Sequence, residues 1–339
     1  MKYSLLSKFR SELMGAAMLA VMLFHAWDLD LRFTTLNELR ALGFGGVDIF
    51  VLLSGIGLAM SLSKREQEYG EFIGRRAWRI LPAYYTVMLP HTLFLYLAGR
   101  AQLSTFLWNS TLLNYWVGCM GGFNWYVSGV MLLYLVTQPV FRFLRSRRRR
   151  VPILLAVTAV SFTVTQVLMR DTWWNHLDVF FRLPLYAAGL VIGLWIVEER
   201  KFTAADGAAL VVMLLAGVVY ALNRMSMGDY APGAYIFTLI TVPVCLGLAW
   251  LMDKLPLRPL YAALRFLGEN SLEIYLLNVS LFSETALLQR FFDPGPGHYV
   301  YYAAAFALNI LLGWALHKAV GVAVNRLRRR RGSDRPIKF

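Results

Sequence analysis

The chain alternates between long apolar blocks and short polar connections. Blocks of roughly 15 to 22 residues match the length that a helix needs to cross the hydrocarbon core of a bilayer, and about ten of them follow one another. The predicted spans are Leu13–Trp27, Phe44–Leu62, Leu81–Ala98, Trp125–Leu144, Val151–Leu168, Leu177–Val197, Ala204–Leu222, Gly233–Met252, Leu267–Gln289 and Tyr299–Val320. The pattern predicts an all-α, polytopic membrane helix bundle.

Composition agrees with this prediction. Of the 339 residues, 58% are hydrophobic and 16% are charged, whereas about a quarter of the residues in a soluble domain are charged. No polar stretch is long enough for a second domain, so residues 1–339 are expected to form a single transmembrane domain with a basic tail from about residue 321.

The net charge of +14 favours a membrane surface over nucleic acid as partner. Most basic residues fall in alternate connections, including the runs Arg75–Arg79, Arg142–Arg150 and Arg326–Arg331. This bias predicts that those connections and both termini are cytoplasmic. The C-terminal arginines are expected to lie against anionic lipid headgroups, and no nucleic acid is expected as a partner.

Two ionisable residues within the first two apolar blocks are the strongest candidates for chemistry. His25 lies near the outer end of the first span, and Asp48 lies about one turn into the second span from the same side. Such residues are costly inside a bilayer and often functional. A carboxylate beside an imidazole can fix its tautomer and raise its basicity. The alternative is a pair that only ties two helices together.

Further polar residues allow two interpretations each. Arg75, Arg76 and Arg79 could grip the phosphates of a cytoplasmic donor, or they could be ordinary positive-inside charge. Arg182, four residues after Asp178, could line a substrate cavity or neutralise that aspartate. Glu273 and Asn278 could face a cavity or join helices. The two cysteines form no metal-ligand spacing, and no metal site is predicted.

Several segments resemble the membrane acyltransferase-3 family of integral-membrane O-acyltransferases that modify cell-surface carbohydrates. The resemblance rests on the stretch from Met14 to His25, on GGVDIFVLLSG at 45–55, on FIGRRAWRILPAY at 72–84, on the block around Trp125 and Ser128, and on GENSLEIYL at 268–276. The chain has Met14 where the family often has an arginine, which Arg10 could replace, and Asn278 where a histidine often stands.

The resemblance implies an enzyme of the inner (cell) membrane. It would move an acyl group, acetyl being the first candidate, from acyl-CoA to a hydroxyl of a surface glycan or lipid-linked sugar. His25 would be the base or acyl relay, Asp48 its partner, and Arg75, Arg76 and Arg79 the acyl-CoA site. Trp125, Ser128, Arg182, Glu273 and Asn278 would line the acceptor cavity.

The resemblance implies acyl-CoA as a co-substrate and no tightly bound cofactor. The alternative is a non-catalytic transporter or exporter of a polysaccharide or lipid-linked intermediate, which the Met14 substitution favours.

Overall fold

The described part of the chain is helical. The computed structural model describes residues 1–26, 29–117, 125–168, 178–227, 235–284 and 296–330, and none of these residues lies in a strand. In chain order the helices are α1 Leu5–Lys8, α2 Arg10–His25, α3 Thr34–Ala41, α4 Gly46–Lys64, α5 Tyr69–Leu97, α6 Leu103–Ser110, α7 Asn114–Val117, α8 Trp125–Leu144, α9 Arg147–Thr163, α10 Leu183–Val197, α11 Ala204–Met227, α12 Tyr235–Lys254, α13 Arg258–Glu269, α14 Ser271–Glu284 and α15 Pro296–Arg330. The all-α prediction is confirmed.

Eight helical stretches among the described residues are long and apolar enough to cross a membrane. They correspond to eight of the predicted spans. The first predicted span falls in α2, which has 16 residues. The ninth is divided between α13 and α14, and α14 has 14 residues. Trp27, Leu177, Gly233 and Gln289, at which four predicted spans begin or end, lie outside the described residues. The multi-pass architecture is confirmed, and the side of the membrane that each end faces stays a prediction.

The boundaries of two predicted spans are corrected. The third predicted span begins at Leu81, but the helix that contains it, α5, already begins at Tyr69 and has 29 residues. The sixth predicted span, Leu177–Val197, places Pro184 well inside a helix, whereas the structure places it in the first turn of α10, where a proline costs no backbone hydrogen bond.

Residue contacts divide the chain into two compact units that are interleaved along the sequence. Unit 1 comprises Met1–Ala17, Gly45–Gln67 and Val136–Phe266. Unit 2 comprises Met18–Phe44, Glu68–Leu135 and Leu267–Phe339.

Unit 1 is built around the close approach of α4 and α10. A Cβ atom at Gly189 would lie 2.4 Å from the backbone oxygen of Leu52, and one at Gly55 would lie 2.7 Å from the oxygen of Tyr186. Only glycine permits this separation, as is common where membrane helices pack tightly. Because Leu52 meets Gly189 and Ile56 meets Gly193, the two helices run parallel. Their N-terminal ends, and the residues just before α10, therefore lie at one end of unit 1.

Unit 2 contains the end of α2 and the helices α5, α14 and α15. The last three of these helices pack on one another. A Cβ atom at Gly313 of α15 would lie 2.5 Å from the side chain of Ile274 in α14, so these two helices are also close. The hydroxyl groups of Tyr84 and Tyr85 donate to the backbone oxygens of Asn109 and Ser110 at 2.9 Å. These bonds fasten α6 to α5.

Candidate functional site

His25 is the last residue of α2 and is half-buried. Its Nδ1 atom lies 2.9 Å from the backbone oxygen of Val21, one turn earlier in the same helix. A carbonyl oxygen can only accept a hydrogen bond, so Nδ1 carries the proton. In the neutral ring the lone pair then belongs to Nε2, which is the tautomer that a general base requires.

The segment that follows His25 is held to the end of α2 by hydrogen bonds within unit 2. Arg40 of α3 donates from Nη1 to the backbone oxygen of Ala26 at 2.7 Å. Asn37 donates to the carboxylate of Asp30 at 2.8 Å. The hydrogen bond from this amide is the main cause that lowers the pKa of Asp30 below its ordinary value, and the hydrogen bond from the backbone N–H of Arg32 is the second. The residues beyond the imidazole are therefore anchored, which fixes its surroundings.

Two asparagines of unit 2 are fully buried. The side-chain nitrogen and oxygen of Asn278, in α14, and of Asn309, in α15, have no hydrogen bond of acceptable geometry with the described residues. Asn278 nevertheless lies close enough to His25 for the amide and the imidazole to interact. A buried amide without a partner costs about 1–3 kcal/mol. Such groups are often retained because a ligand or a water molecule uses them.

Glu273 of α14 pairs with a histidine that the sequence analysis did not select. The Oε2 atom of Glu273 lies 3.2 Å from Nδ1 of His317 in α15, and Glu273 is buried. His317 belongs to the tenth predicted span, so the rule that selected His25 could have found it as well. The prediction that Glu273 lines an acceptor cavity stays open, and its contact with His317 joins two helices of unit 2.

Asp48 and Arg182 form a buried ion pair in unit 1. The Oδ2 atom of Asp48 lies 3.2 Å from Nη2 of Arg182, and both side chains are almost completely excluded from solvent. Nη1 of Arg182 donates to the backbone oxygen of Asp178 at 2.9 Å. Asp48 lies in the first turn of α4, where the helix dipole favours a carboxylate. The pairing of Asp48 with His25, which belongs to the other unit, stays a prediction.

The three arginines of α5 differ in their surroundings. Arg75 forms an ion pair with Glu71 one turn earlier. The guanidinium of Arg76 stacks over the rings of Phe72 and Tyr134, at 5.5 and 5.9 Å from their centres. Arg79 lies one turn after Arg75 and is half-buried. A stacked guanidinium has planar N–H donors that match the geometry of phosphate, and the acyl-CoA site at these arginines stays a prediction.

Trp125 and Ser128 begin α8. The ring of Trp125 lies 5.9 Å from that of Tyr115. The hydroxyl of Ser128 donates to the backbone oxygen of Leu112 at 2.8 Å, which fastens α8 to the preceding loop. Their predicted place in an acceptor cavity stays a prediction.

Arg10 lies one turn before Met14 on α2. Its Nε atom is 3.4 Å from the backbone oxygen of Leu53, and its guanidinium lies over Gly57 of α4. Met14 packs against the hydrophobic core of unit 1. A basic side chain thus reaches α4 from this part of α2, although the residue at position 14 is apolar.

The structure therefore brings His25 near Asn278 in unit 2 and Asp48 to Arg182 in unit 1. Among the described residues, no group of three histidine, cysteine, aspartate or glutamate side chains is placed to bind a metal ion.

Comparisons with known proteins identify the family. The model of the acyltransferase-3 family, described as an acyltransferase domain, matches residues 15–318. Comparisons with curated proteins and with solved structures gave no match. The family match covers most of the chain and includes the candidate membrane spans up to residue 318. The chain belongs to the acyltransferase-3 family and is a multi-pass membrane acyltransferase.

Proposed function

We propose that the protein is an O-acyltransferase of the inner membrane. It would transfer an acyl group, acetyl in the first instance, from acyl-CoA to a hydroxyl of a cell-surface glycan or lipid-linked sugar. The observation that carries the proposal is the hydrogen bond between Nδ1 of His25 and the Val21 carbonyl, which leaves the Nε2 lone pair available as a base. Family membership supplies the reaction class.

In this mechanism Nε2 of His25 removes the proton of the acceptor hydroxyl as its oxygen attacks the thioester carbonyl. The C–S bond breaks, and the leaving CoA thiolate takes up that proton from the imidazolium, so that His25 returns to its neutral form and no net proton is consumed. The amide of Asn278 lies beside the imidazole and can orient it or the acceptor. Asp48 is retained as the proposed partner that stabilises the imidazolium.

The Val21 bond favours a base over an acyl relay. Acylation of Nε2 with the proton still on Nδ1 would give a cationic acylimidazolium, a strongly activated species that is poorly suited to storing an acyl group. A base requires no change at Nδ1. The direct attack of the hydroxyl on acyl-CoA is therefore the step that fits this tautomer best.

For the donor, we propose that the phosphates of acyl-CoA bind Arg75, Arg76 and Arg79. The three cations share one turn of α5, and Glu71 offsets one of them. The remaining positive charge and the stacked guanidinium of Arg76 suit the recognition of phosphate.

The test compares the turnover of acetyl-CoA by purified protein in lipid for wild type, His25→Ala and His91→Ala. His91→Ala removes a histidine of α5 that is outside the proposed chemistry. Loss of a general base lowers the rate about 10²–10⁴-fold, so His25→Ala should lose turnover while His91→Ala retains it, with thermal midpoints showing that both are folded. Turnover at the wild-type rate in His25→Ala would contradict the mechanism.

The second candidate is a non-catalytic exporter of a polysaccharide or lipid-linked intermediate. Met14, where related chains often have an arginine, favours it, whereas the approach of Arg10 to α4 weakens that support. An exporter predicts that the glycan reaches the cell surface only when the protein is present, with acylation unchanged. The enzyme predicts that the glycan is present either way and that its acyl esters are lost.

A further inference from the structure

α9 begins with four consecutive arginines, Arg147 to Arg150, which fall into two pairs with different surroundings. Residues three apart lie on one face of a helix, and the first and fourth of these both bind Glu198. Nε of Arg147 lies 3.1 Å from its carboxylate, and Nη2 of Arg150 lies 2.6 Å from it. The carboxylate of Glu198 thus offsets one of these two positive charges.

Arg148 and Arg149 instead line a groove of about 480 Å³. They are exposed, and no acidic side chain lines this groove. Its other walls are apolar and include Phe143 of α8 and Ile153 and Val157 of α9. Two cations therefore share one groove with a hydrocarbon-like wall.

The helices that form the groove are both candidate membrane spans, and most of the apolar surface of α9 is not covered by protein. Phe143 is 58% exposed and Leu155 is 65% exposed. In a bilayer such side chains contact lipid chains. The arginines lie at the start of α9, so they fall where a helix leaves the hydrocarbon core and headgroup phosphates are found.

We propose that this groove binds one anionic phospholipid. Its phosphate would contact the guanidinium groups of Arg148 and Arg149, and one acyl chain would lie along Phe143, Ile153 and Val157. Guanidinium groups bind phosphate oxygens in a bidentate manner. Two cations without an acidic neighbour in the groove favour an anionic headgroup over a zwitterionic one. The apolar wall favours a phospholipid over free phosphate, because a phosphate ion would leave it uncovered. The inference depends on the multi-pass architecture and not on acyl transfer.

The test measures lipid retained by the full-length protein in non-ionic detergent, using native mass spectrometry. Phosphatidylglycerol and phosphatidylcholine with identical acyl chains are titrated against wild type, the double variant Arg148→Gln/Arg149→Gln and the control Lys254→Gln/Arg258→Gln. The control removes the same charge from exposed positions outside the groove, at the end of α12 and the start of α13. We expect wild type and control to bind phosphatidylglycerol roughly tenfold or more tightly than the double variant, and to prefer it over phosphatidylcholine.

A second variant, Ile153→Trp, fills the groove and keeps both arginines. It should weaken phosphatidylglycerol binding while its thermal midpoint stays near that of wild type. Equal retention of the two lipids by wild type, or unchanged binding by the double variant or by Ile153→Trp, would overturn the proposal. Displacement of phosphatidylglycerol by an equal concentration of inorganic phosphate would also overturn it, since the groove would then be a phosphate site.

Discussion

In unit 1 the buried charges of Asp48 and Arg182 compensate each other at 3.2 Å, whereas in unit 2 the buried amides of Asn278 and Asn309 have no well-formed hydrogen bond among the described residues. The first region also has backbones in contact at Gly55 and Gly189. The second contains His25, with Nε2 left as acceptor. This contrast indicates that the two buried charges of unit 1 compensate each other, while the two neutral amides of unit 2 keep hydrogen-bonding capacity for a bound molecule.

The largest effect should follow from breaking the ion pair of unit 1. Asp48→Asn or Arg182→Met leaves one buried partner uncompensated, which costs about 3–5 kcal/mol, so either variant should show a much lower thermal midpoint than wild type. The double variant Asp48→Asn/Arg182→Met removes both charges, so its thermal midpoint should lie close to that of wild type. A single variant that melts like wild type would contradict the compensation of charge.

The same double variant separates cohesion from catalysis. If Asp48 only compensates Arg182, the double variant should regain turnover together with its thermal midpoint. If Asp48 also supports His25, as proposed, the double variant should be folded and nearly inactive. Turnover of acetyl-CoA and the melting curve are measured on the same preparation.

An intermediate effect is expected from the amides of unit 2. Asn278→Leu and Asn309→Leu each remove a buried polar group that costs about 1–3 kcal/mol when it lacks a partner, so neither variant should lower the thermal midpoint. Asn278→Leu should lower turnover about tenfold, since a well-placed polar group at a reaction centre contributes on this scale. Asn309→Leu is the matched control. Equal destabilisation by both substitutions would instead identify the amides as bonds between helices.

The smallest effect concerns the charge compensation of Glu198 by Arg150 and Arg147 in unit 1. Hydrogen bonds from Arg150 are the main cause that lowers the pKa of Glu198 below its ordinary value. The positive charges of Arg150 and Arg147 lower it further. A lowered carboxylate pKa stabilises the fold at neutral pH, and this contribution is lost as the pH falls through the lowered value.

Glu198→Gln should therefore lower the thermal midpoint slightly at neutral pH, by the equivalent of about 1 kcal/mol or less. The difference from wild type should vanish between about pH 5 and about pH 3. Glu199→Gln, at the neighbouring exposed position, should change neither the thermal midpoint nor its dependence on pH. If the difference in thermal midpoint between wild type and Glu198→Gln grew on acidification, the ionised carboxylate of Glu198 would not be the source of the stabilisation.

The sequence was sufficient for the fold class and for the most conspicuous candidates. Apolar blocks of bilayer length predicted the helices, and His25 and Asp48 were selected because ionisable residues are rare in such blocks. The same rule also selects His317, which lies in the tenth predicted span.

The partner of Arg182 could not be predicted from local spacing. The i, i+4 rule suggested Asp178, but that rule applies within one helix, and α10 begins only at Leu183, followed by Pro184. Its ion pair with Asp48 depends on the parallel packing of α4 and α10, which brings together residues separated by more than a hundred positions. Nor could an apolar run reveal that α13 and α14 are separate helices.

The final helix has a mechanical consequence. α15 has 35 residues, which corresponds to a rod of about 52 Å, whereas the hydrocarbon core of a bilayer is about 30 Å thick. A rod of this length emerges from the membrane by several helical turns, even with some tilt. Arg326 and the arginines at 328–330 lie at the C-terminal end of this helix, so their charge is fixed to a stiff rod beside the membrane surface, where contact with anionic headgroups is predicted.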